Sequence, residues 1–300
     1  MSMSATVAVT AEASAPGEAT PLRRLLRSTS TRISLAVLFL ILFCAIAPSL
    51  FSPHDPYQQD LSNRLLGPVF TERASPAHLL GTDQLGRDVL SRIIHGARIT
   101  LLVSVMAMLV SAVVGILAGL FAGYRGGWFD QIIMRLIDMQ LAFPVILLVV
   151  AVVAIVGPSL TNLIIIMGIS GWPRFARVAR GSVLACKEMD YVDAARAIGA
   201  GRWRIMLQHI LPNILSALIV YASFELARMI LLEASLSFLG LGVQPPVPTW
   251  GGMINDGRQY IFQSWGASFF PGLAILALIL TFNMLGDDLR DALDPRLAND

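Results

Sequence analysis

Long apolar stretches recur along this chain at close to the length of a membrane-spanning helix, and no other feature limits its fold as tightly. They cover residues 33–50, 99–124, 141–156, 159–172, 214–232 and 269–285, and only the fifth contains charged side chains. About 20 predominantly apolar residues cross the hydrocarbon core as a helix. Backbone in lipid must satisfy its own hydrogen bonds, which leaves helices or closed barrels. Continuous runs of this length belong to the helical kind. Three hundred residues would otherwise suggest one large or two small soluble domains. With 55% hydrophobic residues, 14% charged residues and a mean hydropathy of +0.68, that prior gives way. The expected fold is all-α, a polytopic membrane protein with six transmembrane helices.

Arginine placement orients it. Residues 1–31 are rich in Ala, Ser, Thr and Pro, then basic at Arg23, Arg24 and Arg27, with Arg32 following, and read as a disordered tail with a positive collar. Arg174, Arg177, Arg180, Lys187, Arg196, Arg202 and Arg204 outnumber Glu188, Asp190 and Asp193 between positions 174 and 209. Cytoplasmic loops carry such an excess. Six spans then alternate with both termini inside and residues 51–98 and 235–265 outside. A cleaved signal peptide is the alternative for residues 33–50, because Ala45-Ile46-Ala47 imitates a cleavage site. The run is longer than a signal's apolar core and Pro48 would follow the cut, which favours an anchor. Cys44 and Cys186 fall at different depths, so no disulfide is expected. Lys187 is the single lysine, and it follows cysteine rather than glycine. No phosphate-binding Gly-Lys-Ser/Thr loop is therefore encoded. Any use of ATP would need a phosphate-binding site on another chain.

Residues 191–213, YVDAARAIGAGRWRIMLQHILPN, form a polar segment between two apolar runs. Good helix formers from Asp193 to Ile198 are followed by Gly199, where a left-handed C-cap belongs. Gly201 allows a second turn, residues 202–210 restart a helix, and Pro212 ends it. A unit this polar must sit in water or against protein. Upstream, LLGTDQLGRDVLSRIIHGARITL predicts a helix capped by Thr82 or Asp83, with Val89, Leu90, Ile93, Ile94 and Ala97 on one face. Arg87, Asp88, Ser91, Arg92, His95 and Arg98 fall largely on the other, as in a helix lying in the membrane interface. Within the second span Ala107, Ser111, Gly115, Gly119 and Gly123 recur every fourth residue, a stripe that lets another helix approach closely. Residues 125–138 are a short polar interruption with Trp128 as an interface anchor. The third span is entered through Pro144, and the fourth is loosened by Gly168, Gly171 and Pro173. Such spans line pathways or simply pack poorly. Residues 235–265 hold too much Pro and Gly for one regular helix.

Four of these segments together resemble one family. Asp193-Ala194-Ala195, Gly199 and Ile210-Leu211-Pro212 resemble the EAA loop of ABC-importer permeases, with Asp193 where that family usually carries Glu. GTDQLGRDVLSRIIHGAR, SFLGLGVQPPVPTWG and LGDDLRDALDPR resemble signatures of its dipeptide/oligopeptide/nickel branch, in particular the C-type dipeptide permeases. In the order expected, they cover most of residues 80–296. The resemblance implies a type I importer permease fold. It divides the chain into the tail (1–31), an N-terminal helix plus periplasmic loop (32–98), a permease domain (96–287) with its coupling loop at 174–213, and a cytoplasmic tail (288–300). It implies a subunit of the bacterial inner membrane that forms half of a pathway for di- or oligopeptides or related small solutes. Partners would be a second homologous permease, two ATP-binding subunits, an extracytoplasmic solute-binding protein and membrane lipid, with no nucleic acid. ATP and Mg would sit on the ATPases, and no cofactor would be bound by this chain. Asp193, Ala194, Ala195, Gly199, Leu211 and Pro212 would form the loop that seats in the ATPase.

No catalytic constellation is visible. The carboxylates are scattered, no Gly-x-Ser-x-Gly occurs, and no His/Cys cluster has metal spacing. His95 lacks a partner nearby in sequence, so an interfacial or satisfied histidine is expected there. Glu225, Arg228 and Glu233 in the fifth span stand out. Insertion scales charge roughly 2.5–3.5 kcal/mol for an acidic or basic residue at a helix centre. Such residues therefore face a bundle interior, a partner or water. Glu225 and Arg228, at i and i+3, can pair, either as a bridge between helices or as the lining of a pathway. Glu233 lies near the outer end, where it can reach the interface; it matches a Glu in the branch's LLEASLSFLGLG-like segment. A stand-alone channel or ion-coupled transporter would show inverted repeats and ionisable residues in several spans. Here they concentrate in one. Nothing speaks specifically for a non-transporting scaffold.

Overall fold

The computed structural model describes residues 28–293. The first 27 positions of the expected N-terminal tail, and the end of the C-terminal tail from residue 294, lie outside them. Among the described residues the regular structure is helical, with only isolated bridges at Gly67/Ala74 and Thr82/Asp88. Helix α1 is Thr29–Ile46, and after a break at Ala47 the single turn α2, Pro48–Phe51, begins on a proline, whose missing N–H is harmless in a first turn.

Helix α3, Val89–Arg125, has 37 residues and is about 55 Å long. Asp88 caps it by accepting from Ser91 N–H, and Gly126, at φ 64°, ends it. The separate interfacial helix expected from residue 82 onward is absent. Its apolar face makes the first turns of α3, and residues 82–87 are loop. Nothing between Ala97 and Leu102 breaks the pattern, so a helix once nucleated at Asp88 runs on. Thr82 and Asp83 cannot cap because their side chains are committed to the loop: Thr82 Oγ1 accepts from Leu66 N–H, and Asp83 Oδ1 from Leu85 and Arg87 N–H.

Helix α4, Gly127–Leu141, meets α5, Val145–Val156, at a bend of 85°. Pro144 forces the break, because a residue before proline is disfavoured in the α conformation. The third span expected over residues 141–156 is thus only 12 residues of helix, about 18 Å, short of a hydrocarbon core of about 30 Å. Helix α6, Leu160–Cys186, starts on a Ser159 cap and carries Pro173 in its interior. The fourth span was expected to stop at Trp172, yet the helix continues beyond it. Helix α7 is Asp190–Ala197 and α8 is Arg202–Phe238, which includes a π-helical turn at Ile205–Ile210. Helices α9, Trp250–Gly257, and α10, Gly266–Leu293, complete the order.

Helices α1, α3, α8 and α10 are long and apolar enough to cross a membrane, and the bent α4–α5 pair counts as a fifth if it is one span. The expected six are compatible with this if α6 is the remaining one: its first half is apolar, while Pro173, Arg174, Arg177 and Arg180 dilute the second. Phe39, Leu40 and Phe43 on α1 and Leu273, Leu276 and Leu280 on α10 face outward, as lipid contact demands. Contacts define two ends. At one, Thr31 Oγ1 donates to Asp288 Oδ2 (2.8 Å), bringing the start of α1 to the end of α10. At the other, the loops 52–88 and 239–265 meet, where Ser264 Oγ donates to Leu66 O (3.1 Å) and buried Trp250 Nε1 donates to Ile93 O (2.9 Å).

Candidate coupling surface and buried charge pair

The segment 190–204 is amphipathic in three dimensions. Val192 and Ala195 of α7 are buried with Leu120 of α3, Ala179 and Val183 of α6, and Ile205, Met206 and Ile210 of α8. Asp190, Asp193, Ala194 and Ala197 are exposed, and Ile198 is 86% exposed at the tip. Helix α7 closes with two reversed hydrogen bonds: Ala200 N–H to Ala195 O and Gly199 N–H to Arg196 O, both 3.0 Å. This is the Schellman arrangement, and Gly199 takes the left-handed φ of +81° that it requires. Asp193 lies in the first turn, where a carboxylate suits the helix dipole, and pairs with Arg196 (2.7 Å) in solvent. The Tyr191 hydroxyl and Cys186 Sγ, 2.7 Å apart, tie α7 to the end of α6; desolvation, followed by the thiol, pushes the phenol up to about 12.

Pro212 does not end the second helix. It sits two residues past the π turn, directly after Leu211, whose N–H reaches back to Met206 O. A proline inside a helix clashes with the carbonyl four residues earlier and has no N–H to offer it. One wider turn accommodates both defects, and the helix continues through Leu211 and Pro212 into the span. Residues 202–210 and the rest of the long helix α8 are therefore mechanically continuous. A pocket of about 430 Å³ lies above this junction, lined by Phe121, Tyr124, Arg125, Arg196, Arg202 and Trp203.

The small-residue stripe packs within the chain. Gly115, Gly119 and Gly123 of α3 are all buried against α6. A Cβ on Gly119 would lie 2.3 Å from Ala176 O and 2.8 Å from Ala179 Cβ, and one on Gly115 would lie 2.4 Å from Phe175 Cβ. Ser111 Oγ donates to Gly168 O (2.7 Å) across the same seam. Only glycine permits that approach.

Glu225 is 2% exposed and pairs with Arg228 through both carboxylate oxygens, with Arg228 Nε 2.9 Å from Oε2. Tyr221 donates to the same Oε2 (3.2 Å), and its ring meets Phe175 of α6 edge to face. The pair thus lies on the α6-facing side of α8. Glu233 does not reach the interface: it is fully buried, and Ser237 Oγ donates to its Oε1 (2.7 Å). His95 is satisfied locally, with Nδ1 3.0 Å from Ser91 O. A network that the sequence did not disclose lies at the end opposite α7. Asp83 binds Arg87 (2.7 Å) and Arg92, and both guanidinium groups stand 3.6 Å from Asp256. Asp83, Arg87 and Arg92 are buried rather than spread on an interface, because the 239–265 loop, which carries Asp256, packs over them. The signal that could have shown this is the density of Asp and Arg in TDQLGRDVLSR, far above a lipid-facing helix.

Residues 115–299 match the family described as binding-protein-dependent transport system inner membrane component. The chain belongs to that family. Residues 20–68 match the N-terminal TM domain of oligopeptide transport permease C, which places the permease in the C-type dipeptide branch. It is a multi-pass inner-membrane permease subunit of an ABC importer, a kind of subunit that works with ATPase and binding-protein partners. It is 46% identical over 265 residues to the di/tripeptide transport system permease protein DppC of Pseudomonas aeruginosa, covering 88% of each chain. It is 45% identical over 266 residues to the glutathione transport system permease protein GsiD of Pectobacterium atrosepticum, covering 88% of this chain and 87% of that one. Among solved structures, the inward-facing MetNI methionine ABC transporter aligns with a TM-score of 0.54 at 20% identity, over 68% of this chain and 97% of that chain. That likeness establishes the importer permease fold.

Proposed function

We propose that this permease supplies one half of a pathway for di- or oligopeptides or related small solutes, and that ATPase subunits drive it through the α7 unit. The relatives named for di/tripeptides and for glutathione, itself a short peptide, support that substrate class. The observation that carries the coupling role is the two-faced α7 unit. One face is locked into the bases of α3, α6 and α8; the other, Asp190, Asp193, Ala194, Ala197 and Ile198, is left open for a partner. In this reading a second homologous permease completes the pathway, two ATPases carry ATP and magnesium, and a binding protein delivers solute to the opposite end. This chain itself performs no chemistry.

Arg125, Arg177, Arg180, Arg196, Arg202 and Arg204 gather toward the α7 end, which supports a cytoplasmic position for that end and for both termini. Closure of the ATPases then moves two α7 units together and inverts the pathway. Taking a two-state equilibrium from 1:99 to 99:1 requires about 5.5 kcal/mol of differential interaction. A unit that frayed could not transmit it. The buried Val192 and Ala195 and the Schellman closure at Gly199 supply the stiffness, and the continuous α8 carries the motion to the buried charge pair. Reconstitution with the partner subunits tests the whole reading. Labelled dipeptide should accumulate in vesicles only with ATP and loaded binding protein. Uptake that persists without nucleotide would contradict it and favour a channel.

A further inference from the structure

Three potential metal ligands converge at the end opposite α7, from segments that the sequence keeps apart. His54 follows α2, His78 lies in the loop before α3, and Asp88 caps α3. Their ligand atoms all lie within 4.8 Å of one another. Asp88 Oδ1 stands 2.9 Å from His78 Nδ1 and 3.8 Å from His54 Nδ1. The two imidazole rings face each other with centroids 4.7 Å apart. Asp88 is 2% exposed, and its other oxygen, Oδ2, is already held by Ser91 N–H (2.8 Å) and Ser91 Oγ (2.7 Å). Ser91 Oγ in turn accepts from the His54 backbone N–H (3.1 Å). The carboxylate is thus oriented by one oxygen and presents the other, which is how a supporting shell aims a metal ligand.

As a purely hydrogen-bonded cluster, the arrangement is one bond short. A single proton on His78 Nδ1 satisfies that ring and Asp88 Oδ1. His54 Nδ1 is then sealed from solvent with no hydrogen-bond partner, since 3.8 Å is beyond bonding distance. One cation would satisfy all three atoms together. Zinc bonds to imidazole nitrogen and carboxylate oxygen at about 2.0–2.2 Å, which separates neighbouring ligands in a tetrahedron by about 3.3 Å. The two distances to Asp88 bracket that value. Two neutral imidazoles with one carboxylate suit borderline divalent ions rather than calcium or magnesium, which prefer oxygen.

We propose that His54, His78 and Asp88 form a binding site for a divalent transition-metal ion of the zinc class, with water as its fourth ligand. The ion fastens the 52–88 loop to the first turn of α3. It is a resident fastener, and it departs from the sequence reading, in which no His/Cys cluster had metal spacing. Local spacing could not reveal it, because the fold alone brings residue 54 to residue 88.

The test uses the permease purified with its partner subunits through an affinity tag free of histidine. Protein is loaded with zinc and desalted, and retained metal is counted by mass spectrometry against a His54→Ala/His78→Ala variant. Asp88 is left intact because it caps α3. The expected result is one more zinc per copy in the unsubstituted protein, a zinc Kd weakened at least about 100-fold in the variant, and a thermal midpoint raised by zinc only in the unsubstituted protein. Cobalt loading should give the visible absorption of tetrahedral Co²⁺ in that protein alone. Equal zinc in both proteins, or none retained by either, would overturn the proposal. Should the double variant fail to assemble, His54→Gln carries the same comparison, since His54 donates only its backbone N–H to the fold.

Discussion

Glu225 and Arg228 form an ion pair on α8 in which the carboxylate is buried and the guanidinium partly so. A buried ion pair is a poor source of net stability, yet breaking one by removing a single partner is severe, about 3–5 kcal/mol, because a charge is left alone at low dielectric. Glu225→Leu or Arg228→Leu should each reduce the yield of folded permease strongly, and the double substitution should recover part of it. A double-mutant cycle read by thermal unfolding measures this coupling; additive single effects would mean that the pair contributes nothing as a unit. The pair was legible in sequence because i and i+3 neighbours on a helix meet whatever else the fold does. Glu233 was not legible in the same way. Its depth depends on packing against α3, where Thr100, distant in the chain, bonds to it, and the sequence alone put it near the interface. Gly199 sits at the favourable extreme: its left-handed φ follows from local sequence alone.

At the scale of elements, the α3–α6 seam sets the architecture. Gly119→Leu places a branched side chain where even a Cβ would collide with the backbone of α6. Overpacking of this kind costs about 1–3 kcal/mol or more when the obstacle is main chain. The expected outcome is a several-fold loss of assembled complex, read by size-exclusion chromatography, with substrate preference unchanged in whatever assembles. Normal assembly with altered preference would place the stripe on the pathway instead. The stripe was visible from a four-residue repeat, but its partner was not, since a repeat names a face without naming what covers it. Two element boundaries were misread for related reasons. Pro144 made a stronger break than expected, turning the third span into a bent pair. Pro212 made a weaker one, because the π turn at Ile205–Ile210 absorbs the missing hydrogen bond and keeps α8 whole.

For the whole molecule, ATPase docking on α7 requires that the α7 end face the cytoplasm. A cysteine introduced at exposed Arg202 should react with membrane-impermeant maleimide only in inverted vesicles, and one at exposed Leu239 only in right-side-out cells. Labelling with the reverse sidedness would remove the basis for docking an ATPase on α7. A helical membrane bundle and a polar segment set between its apolar helices could be read from hydropathy and arginine placement. The capped end built by the 52–88 and 239–265 loops could not, because it is assembled from long-range contacts.

If α7 and its glycine closure form the seat for the ATPase, the fold supplies its own control. Helix α8 ends at Gly240 with the same motif as α7: Leu241 N–H to Leu236 O and Gly240 N–H to Ser237 O, φ +80° and open space around the α-carbon. Gly199→Val and Gly240→Val therefore carry the same local backbone penalty, about 1–3 kcal/mol, at opposite ends of the molecule. The decisive measurement is the affinity of the purified ATPase subunits for the permease in each variant. The account predicts a loss of about tenfold or more for Gly199→Val, equivalent to about 1.4 kcal/mol, and none for Gly240→Val. Equal affinities for the two variants, whether both retained or both lost, would contradict it.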